Sequence, residues 1–507
     1  MAADYERDSL QNEDEVVQFI SNPVNAYLVA KRFQQERTDF QVLIPNTDFA
    51  QDSLSRMESA RKLLPTEEDY EGSINALMRL QDTYGLKPAV FAEGIIPQAT
   101  NASRLSAADC FEIGRVAYNN KDYYHTVMWM KEAYDRLRIE PKSTQGLDKI
   151  AILDYLSYAV YMQGNIKHAM DLTNEILQLD PDHERANKNM KYFVYQMEQR
   201  ETAKPLRGDT GEGFPDEIMK NERNIEDYKR TEEFQTYEAL CRDENIIDVK
   251  DKHKLYCDYA HNNDPRLLIA PLRREVAHLE PWIMIYYDAI HNDEIQFVKE
   301  SAFPRLNRAT IQNSVTGKLE VANYRITKTA WLNNETDRHY IPRLLNRVSA
   351  ITQLTLENVE EFQVANYGVG GHYEPHFDFA RREEKNAFEK ERGNRIATVL
   401  FYLTDIPAGG MTVFTQLGVK LKPVKGAAAV WYNLKKNGDG DLTTRHAACP
   451  VLVGNKWVMN KWFHERGNEL WHPCGLGEED RFTPYDITEA EPTPQRSRGR
   501  HMFVFKD

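Results

Sequence analysis

The stretch His372-Tyr-Glu-Pro-His376-Phe-Asp378 decides how the second half of this chain folds. Its histidines stand four apart, as in a zinc-protease helix, but Pro375 would break such a helix and Glu does not follow the first histidine. Read as extended strand, His376 and Asp378 point to one face and can grip a single metal ion. A second imidazole must come from elsewhere, and His446 is the candidate, with Lys456 following it. Two imidazoles and one carboxylate on one face of a metal leave positions for an oxo-acid and dioxygen, the arrangement that non-haem Fe(II) oxygenases need.

The surroundings are strand-like. From about 280 to 475, runs such as Ala397-Thr-Val-Leu-Phe-Tyr-Leu403, Ala427-Ala-Ala-Val-Trp-Tyr432 and Lys456-Trp-Val-Met-Asn-Lys-Trp462 alternate with Gly and Asn turns, which suits a double-sheet jelly roll. On the last run, alternation puts Lys456 with Val458 and Asn460, and Lys461 with Trp457 and Met459. Periodicity does not say which set faces inward, and an exposed strand lysine is the default for either. Asn437-Gly-Asp-Gly-Asp441 is a turn ahead of His446 rather than a calcium loop, because Leu442 stands where glycine is needed and no Glu closes the loop.

The first two hundred residues are helical. Val16, Phe19 and Ile20, then Tyr27, Ala30 and Phe33, and later Ile74, Leu77, Met78, Leu80 and Tyr84 keep helix-face spacing, so a packing or assembly region without chemistry is expected. Between about 105 and 200 two similar helical hairpins follow, comparable to tetratricopeptide repeats, with Tyr118 matching Tyr161 and His125 matching His168. This part is rich in tyrosine. Asp154, Tyr158 and Tyr161 share one helix face, and Arg185, Asn189 and Tyr192 share another. A single tyrosine here reads as repeat core with a wet hydroxyl, whereas the set suits docking of an extended, proline-rich peptide.

The 507 residues suggest about three domains. A net charge of −14 argues against nucleic acid or an anionic membrane as partner, and no apolar run reaches the length of a membrane span. Cys110, Cys241, Cys257, Cys449 and Cys474 contain no CxxC, and their grouping favours disulfides over a zinc cluster, with buried thiols as the alternative. Charges from position 4 and the lack of an apolar leader point, taken literally, to the cytosol, while Asn101-Ala-Ser103 and Asn334-Glu-Thr336 are glycosylation acceptors.

His376-Phe-Asp378, Arg445-His446-Ala-Ala-Cys-Pro-Val-Leu-Val-Gly-Asn-Lys456-Trp and His464-Glu-Arg-Gly467 resemble the catalytic domain of collagen prolyl 4-hydroxylase alpha subunits. The likeness extends through Asn22-Pro-Val-Asn25, Gln81-Asp-Thr-Tyr84 and Asp122-Tyr-Tyr-His125. It implies that His376, Asp378 and His446 hold Fe(II), that Lys456 pairs with the far carboxylate of 2-oxoglutarate beside Tyr367, and that Asp154, Tyr158, Tyr161, Arg185, Asn189 and Tyr192 bind the peptide. It implies hydroxylation of peptidyl proline at C4 in collagen-like chains, the procollagen-proline 4-dioxygenase reaction, giving succinate and carbon dioxide, with L-ascorbate as reductant. Protein disulfide isomerase would be the partner subunit, in the endoplasmic reticulum lumen, with alpha–alpha dimerisation and a shortened N-terminus. Disulfides Cys241–Cys257 and Cys449–Cys474 are implied, leaving Cys110 free. The resulting layout is a helical assembly region over 1–100, a TPR-like peptide-binding domain over 101–204, a linker over 205–240, an α-helical half thus followed by a jelly-roll (double-stranded β-helix) oxygenase domain over 241–475, and a flexible tail over 476–507. Rival readings are a 2-oxoglutarate oxygenase acting on another protein residue and a non-catalytic peptide-binding scaffold.

Overall fold

The strand runs of the C-terminal half are apolar at nearly every position because the sheet they build is covered on both faces. The computed structural model of the chain describes residues 13–43, 65–99, 103–140, 147–202, 220–223, 227–262, 264–312, 319–333, 335, 338–384, 388, 391–470 and 472–483. The glycosylation acceptors at Asn101 and Asn334, half of the expected linker and three quarters of the expected tail lie outside these.

A nine-stranded sheet runs Cys257–Ala260, Leu272–Leu279, Trp282–Tyr287, Ala428–Tyr432, Arg395–Tyr402, Lys456–His464, Phe362–Tyr367, Lys328–Leu332, Asn307–Arg308. A five-stranded sheet runs Val419–Leu421, Thr412–Phe414, His446–Ala448, His372–His376, Arg325–Ile326. The pairings within both are antiparallel. On the large sheet, strict alternation sorts side chains into two cores. Met284, Tyr286, Ala428, Val430, Val399, Phe401, Met459 and Phe463 pack with helices Asn292–Ala302 and Tyr340–Thr352. Ile283, Ile285, Ala429, Trp431, Leu400, Tyr402 and Val458 meet Phe414, Val419 and Leu421 of the small sheet. The second core is the jelly-roll interior.

This partition separates the two lysines. Lys456 stands in register with Tyr367 and shares its parity with Val458, on the interior side. Lys461 has the parity of Trp457 and Met459, on the helix-covered side, where its amine donates to the Glu360 carbonyl and lies over the Phe362 ring. Neither is the exposed strand lysine expected by default, since their exposures are 1% and 2%.

In the helical half, Ala107–Asn119 with Tyr123–Leu137 and Lys149–Met162 with Ile166–Leu179 form the two hairpins, followed by Glu184–Thr202. Each hairpin buries small or apolar residues between its helices, including Ile113, Ala117, Val127, Met130, Ile152, Leu156 and Ala169. The matched histidines part company: His125 is buried and His168 is exposed. Upstream, Glu67–Tyr84 begins at a capping box between Thr66 and Asp69 and ends at Gly85, whose φ of +62° is the left-handed cap that glycine adopts freely. In Glu13–Ile20 and Pro23–Leu43, Tyr27 and Ala30 are buried, while Val16, Ile20 and Phe33 remain exposed.

The stretch read as linker carries the helix Glu232–Cys241, whose Phe234, Tyr237, Leu240 and Cys241 pack on Met411, Val413, Ala447 and Cys449 of the small sheet. That packing corrects the expected disulfides. Cys241 joins Cys449, 208 residues away, with Cα atoms 5.5 Å apart. Cys257 and Cys474 are exposed free thiols, so neither Cys241–Cys257 nor Cys449–Cys474 forms. Cys241 is held in an apolar cluster on the small sheet, whereas Cys257 opens the far edge strand of the large one. Cys110 is free and buried, as expected.

Candidate active site

His376 and His446 are brought together by strand pairing: they stand opposite each other in the small sheet, and Phe414 is the partner of His446 on its other side. The strand His372–His376 ends at His376, so Asp378 lies just past it rather than within it. Asp378 still turns to the same centre. Its Oδ1 is 3.8 Å from His376 Nε2 and its Oδ2 is 3.6 Å from His446 Nε2. One ligand atom from each of the three lies within 4.8 Å of the others, and this is the one such group among the described residues.

The backbone fixes both imidazoles. His376 Nδ1 donates to the Glu374 carbonyl at 2.8 Å, and His446 Nδ1 donates to the Thr444 carbonyl at 2.9 Å. A carbonyl only accepts, so the proton sits on Nδ1 and the Nε2 lone pair is left for a metal. Tyr373 stacks on His376, and Trp431 packs edge-on to His446. Burial, reinforced by the neighbouring His446, holds His376 well below its ordinary pKa, so it is a neutral donor.

Asp378 is the anionic member. Burial would raise its pKa, but His446 and His376, with Arg395 and Trp462, outweigh this and lower it to about 2. The Thr398 hydroxyl donates to Asp378 Oδ2 at 2.8 Å and accepts from Asn433 Nδ2 at 2.9 Å. Arg395 donates to the Asp378 carbonyl at 3.3 Å and makes a two-pronged pair with Glu360, which also meets His464 Nε2 at 2.9 Å. Two imidazole nitrogen donors with their tautomers set and one pre-ionised carboxylate are the donor set that Fe(II) takes in a facial triad.

Lys456 enters the same interior from the large sheet. Its amine lies 5.5 Å from the Tyr367 ring centroid and 5.8 Å from that of Tyr402. Burial alone pushes it down to about 7, with no carboxylate among the described residues to offset the cost. A buried amine without a counter-charge is a fitting anchor for the far carboxylate of a small diacid. The Tyr402 hydroxyl donates to Thr412 Oγ1 at 2.9 Å in the same pocket. His372 takes no part: it is buried near Arg79 and Lys229, and burial, then those cations, push its pKa well down.

A second cluster lies on the helical half. Arg185 Nη1 donates to Asp154 Oδ2 at 2.7 Å, and its guanidinium lies 5.6, 5.8 and 5.7 Å from the ring centroids of Tyr118, Tyr155 and Tyr158. The aromatic row continues from Tyr158 to Tyr161 at 6.0 Å and on to Tyr192 at 5.6 Å. Asp154 Oδ1 and Asn189 Nδ2 are buried without a hydrogen-bond partner.

All the residues expected from the sequence therefore fall into two clusters, the triad with Lys456 and Tyr367, and the tyrosine row. Thr398, Tyr402 and Thr412, which face the interior, are additional to the residues expected from the sequence, while Tyr118, Tyr123 and Tyr155, members of the tyrosine-rich set, extend the row. Parity along Ala397–Leu403 could have signalled Thr398 and Tyr402, because Leu400 between them is interior.

Known proteins share both clusters' stretches of chain. The family model described as "Prolyl 4-Hydroxylase alpha-subunit, N-terminal region" matches residues 1–98, "Prolyl 4-hydroxylase peptide-substrate-binding domain" matches 107–199, and "2OG-Fe(II) oxygenase superfamily" matches 362–464. Mouse prolyl 4-hydroxylase subunit alpha-1 is 46% identical over 91% of this chain and 85% of its own. Prolyl 4-hydroxylase subunit alpha-2 of Caenorhabditis elegans is 44% identical over 91% of this chain and 84% of its own. A crystal structure of a viral collagen prolyl hydroxylase from Paramecium Bursaria Chlorella virus-1 aligns at 21% identity and a TM-score of 0.27, covering 36% of this chain and 93% of that one.

Proposed function

As the chain belongs to the prolyl 4-hydroxylase alpha-subunit family, we propose that it hydroxylates peptidyl proline at C4 in collagen-like, proline-rich chains, using Fe(II), 2-oxoglutarate and dioxygen. The observation that carries this reading is the pairing of a His376–Asp378–His446 triad with an uncompensated buried Lys456 in one jelly-roll interior. When bound, Fe(II) supplies the oxidising chemistry by which 2-oxoglutarate becomes succinate and carbon dioxide while one oxygen atom passes to the proline.

The chain's own residues do the holding. His376 and His446 present Nε2 because Glu374 and Thr444 carbonyls occupy their Nδ1 protons. Asp378 supplies the negative charge, oriented by Thr398. Lys456 takes the far carboxylate of 2-oxoglutarate, which restores the amine to its charged form, and Tyr367 forms one wall of that pocket. The low-polarity walls, Trp431, Phe414 and Tyr373, keep water from the reacting centre.

Asp154, Tyr158, Tyr161, Arg185, Asn189 and Tyr192 bind the proline-rich peptide away from the triad. The row of rings suits a polyproline II chain, and the unpartnered Asp154 Oδ1 and Asn189 Nδ2 offer one acceptor and one donor to its backbone. The domain layout follows the sequence expectation except that Glu232–Cys241 and Phe482 pack with the oxygenase domain rather than belonging to a linker and a tail, and L-ascorbate is the reductant, protein disulfide isomerase the partner subunit, with alpha–alpha dimerisation and action in the endoplasmic reticulum lumen. The test is succinate release and 4-hydroxyproline formation on a (Pro-Pro-Gly)-type peptide by the full chain expressed with protein disulfide isomerase. Both products should appear with wild type and vanish with Asp378→Ala; turnover by that variant would refute the assignment.

A further inference from the structure

The helix Glu67–Tyr84 lies outside the jelly roll in sequence yet touches it at two backbone carbonyls. Arg79 Nη1 donates to the Gly370 carbonyl at 2.8 Å, and the Tyr84 hydroxyl donates to the Pro450 carbonyl at 2.5 Å. Both carbonyls belong to segments that frame the pocket described above. Gly370 sits in the turn between Tyr367, which walls the Lys456 site, and the strand His372–His376. Pro450 follows the strand His446–Ala448, and its carbonyl also accepts from Gly410 N at 3.0 Å. Gly410 in turn backs Lys456, since a Cβ there would lie 3.5 Å from Lys456 Cδ.

The fit is close enough to dictate glycine on the catalytic side. A Cβ on Gly370 would stand 2.5 Å from the Ala76 Cβ, and one on Gly409 would stand 2.6 Å from the Tyr84 hydroxyl. Both glycines also have positive φ, +71° and +76°. Arg79 makes no salt bridge with a described carboxylate; burial, opposed by Tyr237, Glu374 and Asp82, lowers it only to about 10, so it stays a cation aimed at a carbonyl. The same helix is also tied to the repeats. Gln81 accepts from Trp129 Nε1 at 2.9 Å, and Asp82 lies 3.1 Å from His125 Nε2 and 2.8 Å from Arg223.

We infer that the helix Glu67–Tyr84 is a positioning element of the oxidation site, with Arg79 and Tyr84 as positioning residues that fix the two turns around the 2-oxoglutarate pocket. It holds the Gly368–Gly371 turn against Val451, to whose carbonyl Gly370 N donates at 2.8 Å, and it pins Pro450 behind Gly410 and Lys456. Through Gln81 and Asp82 it fastens the peptide-binding helices to the same support. The inference rests on Lys456 and the triad being the co-substrate and metal site.

The test titrates the full chain with Mn(II) and then 2-oxoglutarate, read by the Mn(II) resonance without turnover. Arg79→Met should weaken 2-oxoglutarate binding by about tenfold and Tyr84→Phe by about threefold, as losses of supporting hydrogen bonds do around metal sites. Arg79→Lys, which keeps a donor and the charge, should recover most of the loss. A (Pro-Pro-Gly)-type peptide should bind the variants as it binds wild type, within about twofold. Affinity for 2-oxoglutarate unchanged in both Arg79→Met and Tyr84→Phe overturns the inference. Should Arg79→Met not fold, Tyr84→Phe decides alone, and its unchanged affinity overturns it. Lys456→Ala separates the two readings. If wild type itself binds no 2-oxoglutarate, the site reading fails; if Lys456→Ala abolishes binding while the helix variants leave it intact, only the positioning role fails.

Discussion

Lys456→Met should stabilise the free protein while destroying its use of 2-oxoglutarate. The amine is 1% exposed and is held at about 7 rather than 10.5 by burial alone. At about 1.36 kcal/mol per pKa unit, keeping that proton in the folded state near neutral pH costs up to roughly 5 kcal/mol. Attraction to the Tyr367 and Tyr402 rings offsets about 1 kcal/mol, and relaxation of the site lowers the cost further, so a gain of about 2–3 kcal/mol is expected. Methionine keeps the length and volume of the aliphatic stem. The sign with pH is fixed. Because the folded value lies below the unfolded one, the unfolded chain binds more protons between about pH 7 and 10.5, and wild-type stability gains from this group as pH rises through that window. The advantage of Lys456→Met should therefore be largest at pH 7 and nearly gone at pH 10. Urea unfolding without metal or 2-oxoglutarate, followed by tryptophan fluorescence at both pH values, measures it. A variant less stable than wild type at pH 7, with a difference that does not change with pH, would mean that the buried amine carries no such cost.

Arg185→Leu removes the cation that ties Asp154 to three tyrosine rings, and calorimetric affinity for a proline-rich peptide should fall at least about tenfold, roughly 1.4 kcal/mol, with the KM for 2-oxoglutarate unchanged. Mass mapping of an unreduced digest should find Cys241 linked to Cys449, and Cys241→Ser should cost up to about 5 kcal/mol for a loop of 208 residues; a Cys241–Cys257 peptide would contradict the structure. His125 is pulled down by burial, but its hydrogen bond to Asp122 and the Asp82 carboxylate 3.1 Å from Nε2 win and raise it to about 9. Its folded value exceeds the unfolded one, so its stabilisation is complete below about pH 6.5 and is lost as pH rises through 9. His125→Gln should accordingly cost about 3 kcal/mol more at pH 6 than at pH 10 in urea unfolding, and an equal cost at both would count against the Asp–His–Asp network.

What the sequence disclosed follows the range of the forces involved. Pro375 and the two-residue period were local facts, and they correctly took His372–His376 for a strand and set His376 and Asp378 on a common centre. The helical hairpins were equally local, each carrying its own apolar stripe. Parity grouped Lys456 with Val458 but could not choose a face, because both faces of that strand are apolar and buried; only the small sheet on one side and the helices on the other distinguish them. The cysteine pairing escaped for a related reason: nothing near Cys241 reveals that its helix lies on the sheet carrying Cys449. The same holds for Arg79 and Tyr84, whose partners are backbone carbonyls 291 and 366 residues away and so leave no side-chain signature.

On the proposed reading, one jelly-roll interior holds iron through His376, Asp378 and His446 and 2-oxoglutarate through Lys456, to oxidise proline. Incubating the full chain, expressed with protein disulfide isomerase, with Fe(II), 2-oxoglutarate and a (Pro-Pro-Gly)-type peptide tests it most directly, by mass spectrometry of both products. Wild type should give one succinate for each 4-hydroxyproline, and His376→Ala should give neither. Succinate without hydroxyproline, or equal products from His376→Ala, would contradict it.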